Sequence, residues 1–188
     1  MKLYLGLIHH PIKNKLGELV TTSVTNLDIH DISRSCRTFG VKKYFLVTPF
    51  VAQQELVNSI LGHWEQDHAN AYNPDRQDAL AIAKCVDSIE TAIDEITKIE
   101  GQRPLIAVTG ANFDSFDGDV SHLTKKLEEG NMPCFLLFGT GWGLHPIALE
   151  KAEYMLSPIL SNNSDGYNHL SVRSAVAIYL DRFFGNRN

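Results

Sequence analysis

Long apolar runs are missing from this chain: no stretch of its 188 residues approaches the ~18 consecutive apolar positions that a membrane-crossing helix needs. Cysteine is scarce. Cys36, Cys85 and Cys134 lie far apart and form no CxxC pair, which argues against a disulfide framework and a zinc site. No metal is expected, and each cysteine reads as a small buried apolar residue. The opening MKLYLGLIHHPIK has too short and too histidine-rich an apolar run for a secretory leader. The expectation is therefore a cytoplasmic protein with no membrane partner. Repeats and low-complexity segments are absent as well. At 44% hydrophobic and 21% charged residues the composition is that of a globular protein, and the length fits one domain, residues 1–188.

Positive charge is in deficit overall, at a net −5, which by itself argues against a nucleic-acid partner. The distribution says more. Residues 1–50 carry seven Lys and Arg against three Asp and Glu, a balance of +4, leaving −9 for the rest. The basic end is either a polyanion-facing surface or a chance cluster of solvated side chains.

What the chain does have is a regular alternation of apolar runs and helical patterns. Leu3 to Ile8 reads as a first buried strand, with His9 and His10 at its carboxyl end as either ligands or ordinary loop residues. Asn14 to Thr25 reads as an irregular connection. In Asn26 to Gly40, apolar Ile29, Ile32, Cys36 and Phe39 form one helical stripe and Gly40 is a stop. Lys43 to Thr48 is a strand, Val51 to Trp64 a helix, His63 to Asp78 a long exposed loop, and Ala79 to Val86 a strand. Asp87 to Glu90 supplies a capping box for a helix reaching about Glu100. Pro104 to Thr109 is a strand, and Asp119 or Ser121 opens a helix that Gly130 stops. The pattern predicts an α/β fold, a mostly parallel sheet with helices on both faces.

Met132 to Ala175 organises the rest. An apolar run, Cys134 to Phe138, leads into Gly139-Thr140-Gly141-Trp142-Gly143 and a helix opened by Pro146; a second run, Tyr154 to Leu160, leads through a polar loop to a helix start at Ser171. Glycines after a buried strand admit positive φ and let a ligand approach the backbone. The loop is not GxGxxG and has no following Walker lysine. It reads either as a binding loop or as a tight turn around a buried Trp142.

Three pieces of this sequence are similar to motifs of the SPOUT superfamily of S-adenosylmethionine-dependent RNA methyltransferases, in its SpoU-like branch. Arg34 followed by Phe39-Gly40 resembles the first motif, Phe138 to Leu144 the second, and Tyr167 to Val172 the third. The resemblance implies a C-terminal trefoil knot, a homodimer with facing knots, and methyl transfer to a nucleotide of a structured RNA, tRNA or rRNA. It implies S-adenosylmethionine bound by Thr109, Gly110 and Ala111, by Gly139, Thr140, Gly141, Trp142, Gly143 and Leu144, and by Pro158, Ile159, Asn168, His169, Leu170 and Ser171. Arg34 is implied as a catalytic residue, with Asp28 or His30 as the candidate proton acceptor. Asn26, Arg37, Lys42, Lys43, Arg76 and Arg173 are the expected RNA contacts. Three positions depart from the pattern: Gly141 where a Glu is usual, Asp28 where an Asn is usual, and His169 in place of Asn, with Asn168 beside it. Methyl transfer is thus implied without ribose 2′-O specificity. The alternatives are a non-catalytic SPOUT-like dimer that binds cofactor or RNA, and an NAD(P)-binding oxidoreductase.

Overall fold

Every residue of strand β1 (Leu3–Ile8) is buried, and its side chains alternate between two cores, as a central strand of a parallel sheet requires. Leu3, Leu5 and Leu7 enter one core, Tyr4 and Ile8 the other. The protein is described by a computed structural model for residues 1–64 and 74–186. After β1 come two short strands, β2 (Ile12–Lys13) and β3 (Leu19–Val20), and then β4 (Lys43–Val47), β5 (Ala83–Val86), β6 (Leu105–Val108), β7 (Cys134–Gly139) and β8 (Tyr154–Met155). The main sheet has the order β5-β4-β1-β7-β6-β8 with every neighbouring pair parallel.

Helices cover both faces. The first core takes side chains from α1 (Asn26–Thr38), α2 (Val51–Trp64) and α3 (Pro74–Leu80). The second is closed by Ile89, Ala92 and Ile96 of α4 (Ile89–Glu100). Helix α5 (Val120–Gly130) returns to the first core through Leu123 and Leu127, α6 (Pro146–Leu149) joins the second through Ala148, and α7 (Val172–Phe184) joins the first through Val176, Tyr179 and Leu180. Because the strands share one direction, the loops after β1, β7, β6 and β8, four adjacent strands, open at one edge of the sheet. That edge is where ligands bind in open α/β folds.

Several local expectations give way. Asn14 to Thr25 is not wholly irregular: β2 and β3 pair antiparallel as a hairpin, Ile12 opposite Val20 and Lys13 opposite Leu19. The Asn14 carboxamide oxygen accepts from the Leu16 and Glu18 N–H groups, forming the turn between them. The long loop is instead α3 from Pro74; residues 65–73 of it lie outside the described residues. Strand β5 starts at Ala83, because Ala79 and Leu80 end α3 and are buried there. The α4 cap is Ser88 rather than Asp87: its hydroxyl accepts from Thr91 N–H at 3.1 Å, and Asp87 accepts from the Thr91 hydroxyl. Asp119 caps α5, whose end is Asn131 at φ 46°, a residue type that tolerates the left-handed region. Only Tyr154 and Met155 of the run to Leu160 are strand.

Candidate active site

The glycine loop after β7 is closed on itself and seated on β1. Gly143 N–H donates to Thr140 C=O at 2.9 Å, and the Thr140 hydroxyl donates to Ile8 C=O at 3.0 Å. A Cβ on Gly139 would stand 2.7 Å from the Leu144 nitrogen, so no side chain fits. Gly141 has φ 56°, where L side chains are disfavoured. Trp142 is not the buried centre of a turn; it is 55% exposed.

The β2–β3 hairpin lies against this loop. Lys13 N–H donates to Gly143 C=O at 3.0 Å, His145 N–H donates to Pro11 C=O at 3.2 Å, and Ile12 bridges Leu144 antiparallel. The Thr22 and Thr140 hydroxyls share a short hydrogen bond, and Thr22 also meets His9 Nδ1 at 3.1 Å. The directions follow by elimination. The Thr140 proton goes to Ile8, so Thr22 donates to Thr140, and His9 Nδ1–H donates to Thr22. Nδ1 of His9 therefore carries a proton, and Nε2, whose protonation sets the charge of the ring, is buried without a partner. Burial pushes the His9 pKa down from 6.5 to about 4, against the opposing pull of the nearby Asp28 charge, which agrees with a neutral ring.

Helix α1 and the start of α7 supply a further wall. Asp28 is 4% exposed. One oxygen accepts from Arg173 Nη1 at 2.9 Å, the other from the Thr25 hydroxyl at 2.5 Å. Thr25 is also the α1 cap, accepting from Asp28 N–H. Arg173 Nε lies 3.5 Å from Asp31 as well. Ser171 caps α7 by accepting from Ser174 N–H at 3.2 Å, a device worth about 1 kcal/mol. The polar loop before it is drawn closed by Asn168, whose side-chain N–H donates to Ile159 C=O at 3.0 Å. The Tyr179 hydroxyl donates to Ser157 C=O at 2.7 Å.

These elements enclose a pocket of ≈ 820 Å³, within the size range of small-molecule and cofactor sites. The structure brings together on its walls Asp28, Thr109, Gly110, Ala111, Gly139 to Leu144, Ile159, Asn168 to Ser171, and Arg173. Pro158 is not on the wall. Neither are the other expected residues. His30 packs edge-on against Trp64 with its centroid 5.9 Å away, because it leaves α1 on a different face from Asp28. Burial, with help from Arg76 and Arg34, lowers its pKa. Arg34 is exposed on that outer side. Arg37 is paired with Asp78 at 2.7 Å and Lys43 with Glu95 at 2.5 Å; Arg76 lies over the Trp64 ring, and Asn26 and Lys42 are exposed elsewhere. Arg173, also expected among the RNA contacts, is paired with two carboxylates, Asp28 and Asp31.

Sequence reasoning missed the hairpin wall: Lys13, Thr22, Ser23 and Thr25 all line the pocket, and His9 braces it from beneath. The legible signal was the Asn14 turn, flanked by Ile12 and by Leu19 and Val20. A loop residue after β6, Phe113, was also missed; its ring fills the space that a side chain at Gly110 would occupy.

Comparison with known proteins bears on this geometry. The profile of a family described as SAM-dependent RNA methyltransferase matches residues 2–185. The chain is 43% identical over 184 residues to a tRNA (guanine-N(1)-)-methyltransferase of Oleidesulfovibrio alaskensis, covering 98% of this chain but 42% of that protein. It is 32% identical over 182 residues to an uncharacterised protein of Aquifex aeolicus, covering 97% of this chain and 88% of the other. Among solved structures, the SpoU methyltransferase AviRb of Streptomyces viridochromogenes in complex with AdoMet superposes with a TM-score of 0.55 at 16% identity, over 97% of this chain and 58% of that one. With the parallel sheet and a pocket at its carboxyl edge, the profile match over residues 2–185 places the chain in the SAM-dependent RNA methyltransferase family, on the fold of the SpoU enzymes.

Proposed function

We propose that this protein, as one domain, transfers a methyl group from S-adenosylmethionine to a nucleotide of a structured RNA, with tRNA the first substrate to test. The observation that carries the reading is the convergence of three loops of separate sequence origin, 109–111, 139–144 and 168–171, on one pocket. The walls suit the cofactor. Leu144, Leu149, Ile159 and Tyr179 offer apolar surface, and the glycine loop offers backbone that no side chain shields. Bound there, S-adenosylmethionine supplies an electrophilic methyl group on a sulfonium centre.

The chain's residues then have to hold the cofactor and orient the nucleotide that receives its methyl group. Thr109, Gly110, Ala111, Gly139, Thr140, Gly141, Gly143, Leu144, Ile159, Asn168, His169, Leu170 and Ser171 hold the cofactor. Both oxygens of Asp28 are already engaged, so its role is to position Arg173 at the pocket wall rather than to accept a proton. Arg34 acts from a second copy of the chain, across a homodimer in which each α1 faces the partner's pocket. Exposed Leu27, Phe50 and Val51 support such an interface. They sit at the amino ends of α1 and α2, which are tied together by Val24 N–H donating to the Gln53 side chain at 2.6 Å. The C-terminal stretch is read as a trefoil knot: after β8, Leu156 bridges Gly118 and Ser157 N–H donates to Gly118 C=O, and α7 then returns to pack Tyr179 on Phe138 of β7. A cytoplasmic location, where RNA and cofactor meet, completes the reading. The guanine-N1 reaction of the Oleidesulfovibrio relative is not carried over, since more than half of that protein has no counterpart here.

The test is incubation with methyl-labelled S-adenosylmethionine and total RNA, then tRNA, with nuclease digestion and mass spectrometry of the product. Label in one defined nucleotide is expected. Cofactor binding without transfer would establish a binding protein instead, and binding of NADH in its place would sink the methyltransferase reading.

A further inference from the structure

The pocket has two cations on its walls, Lys13 and Arg173, and they differ in what neutralises them. Arg173 is paired with Asp28 and Asp31. Lys13 forms no ion pair among the described residues, although its backbone is fixed by the bond to Gly143 and by pairing in the hairpin. The reading proposed above, on which this inference rests, fills the pocket with a cofactor of net positive charge. Asp114 also lines the pocket but forms no ion pair with Lys13, so the Lys13 ammonium is free to meet an anion that a substrate brings, a pairing that strengthens away from bulk water. Trp142, next to the Gly143 carbonyl that receives the Lys13 N–H, exposes more than half of a large aromatic surface at the same rim. Exposed Trp is unfavourable in water and gains most by stacking on a flat partner.

We infer that the β2–β3 hairpin and Trp142 form the substrate side of the pocket, a clamp for one unstacked nucleotide of the RNA: Lys13 takes its phosphate and Trp142 stacks on its base. A cation for the backbone and an aromatic face for the base is the combination that binds unpaired RNA. This moves Trp142 from cofactor contact to substrate contact. The His9–Thr22–Thr140 chain of hydrogen bonds holds the hairpin against the glycine loop, and so keeps the phosphate site in register with the cofactor loops.

The test uses the full chain, unmodified tRNA transcripts and S-adenosylmethionine, with three readouts: cofactor affinity by calorimetry, KM for RNA, and the salt dependence of RNA binding. Lys13→Gln and Trp142→Ala are each expected to raise the RNA KM by about tenfold and to leave cofactor affinity unchanged. Lys13→Gln should reduce the slope of log affinity against log salt by about one; Trp142→Ala should not; Lys13→Arg should restore binding. Weakened cofactor affinity in either variant, or an unchanged RNA KM, overturns the inference. Wild-type protein that binds no RNA would defeat the methyltransferase reading itself, whereas an active wild type with unaffected variants defeats the clamp alone.

Discussion

Helix α1 presents polar residues to two environments. On one side Asp28 is buried and doubly engaged, with Arg173 and Thr25, and stands above neutral His9. On the other, His30 leans on Trp64 and Arg34 is exposed. Successive helix positions turn by about 100°, so residues 30 and 34 share a face while 28 and 31 share another. Residues close in sequence therefore serve different purposes. The inner set holds the pocket wall in place, and the outer set is available to a second molecule.

That contrast can be broken by measurement, starting where the effect is largest. Asp28→Ala leaves the Arg173 guanidinium with the exposed Asp31 as its single carboxylate partner and removes the acceptor for the Thr25 hydroxyl. A loss of about 3 to 5 kcal/mol in urea unfolding is expected; a loss under about 1 kcal/mol would mean that the inner face is not structural. His9 comes next. Its folded pKa lies below the unfolded value, so the unfolded chain binds the extra proton between them. Stability is complete above pH 6.5 and declines as pH falls towards 4, by about 3 kcal/mol. Urea midpoints followed across that window should flatten in His9→Gln. The shift at half-buried His30 has the same sign, but His30→Gln should flatten the profile less.

Arg34→Ala should lower methyl transfer by at least about 100-fold while shifting stability by no more than about 0.5 kcal/mol. Mixing it with a pocket-defective chain should regain activity, because a mixed dimer still has one intact composite site. Equal loss in the mixture would place Arg34 in service of its own chain. Smallest is Asp31→Ala, whose side chain is 48% exposed and 3.5 Å from Arg173; unfolding should change by about 0.5 kcal/mol. A much larger value would erase the distinction between the two carboxylates of the inner face.

Much of the site was legible because its parts are local. Leu105 to Thr109, Cys134 to Gly139 and Ser171 each carry their signal within a few residues: a buried run, a glycine the strand end requires, a cap. The same holds for α1, whose stripe and Gly40 stop marked its extent within two residues. Arg34 and its two candidate proton acceptors, Asp28 and His30, do not all meet at the pocket of one chain, because motif order does not track helical geometry: Asp28 lines the wall while His30 leans on Trp64. The ion pairs were not legible for another reason: Arg37, Lys43 and Arg173 each meet a carboxylate 41 to 145 residues away, and no local pattern reveals such a partner.

By itself the sequence determined a parallel sheet covered on both faces, with glycine and polar loops at the strand ends, because buried runs and helical stripes are written in nearest neighbours. The β2–β3 hairpin and the direction of each face of α1 were decided only by tertiary structure. Strands of two residues have little stability of their own; these persist because Ile12 and Lys13 bond to Gly143 and Leu144, from the far end of the chain. The low pKa of His9 follows from burial in the folded chain, where its Nδ1 meets Thr22 from beyond the hairpin, and so keeps the ring neutral well below pH 6.5.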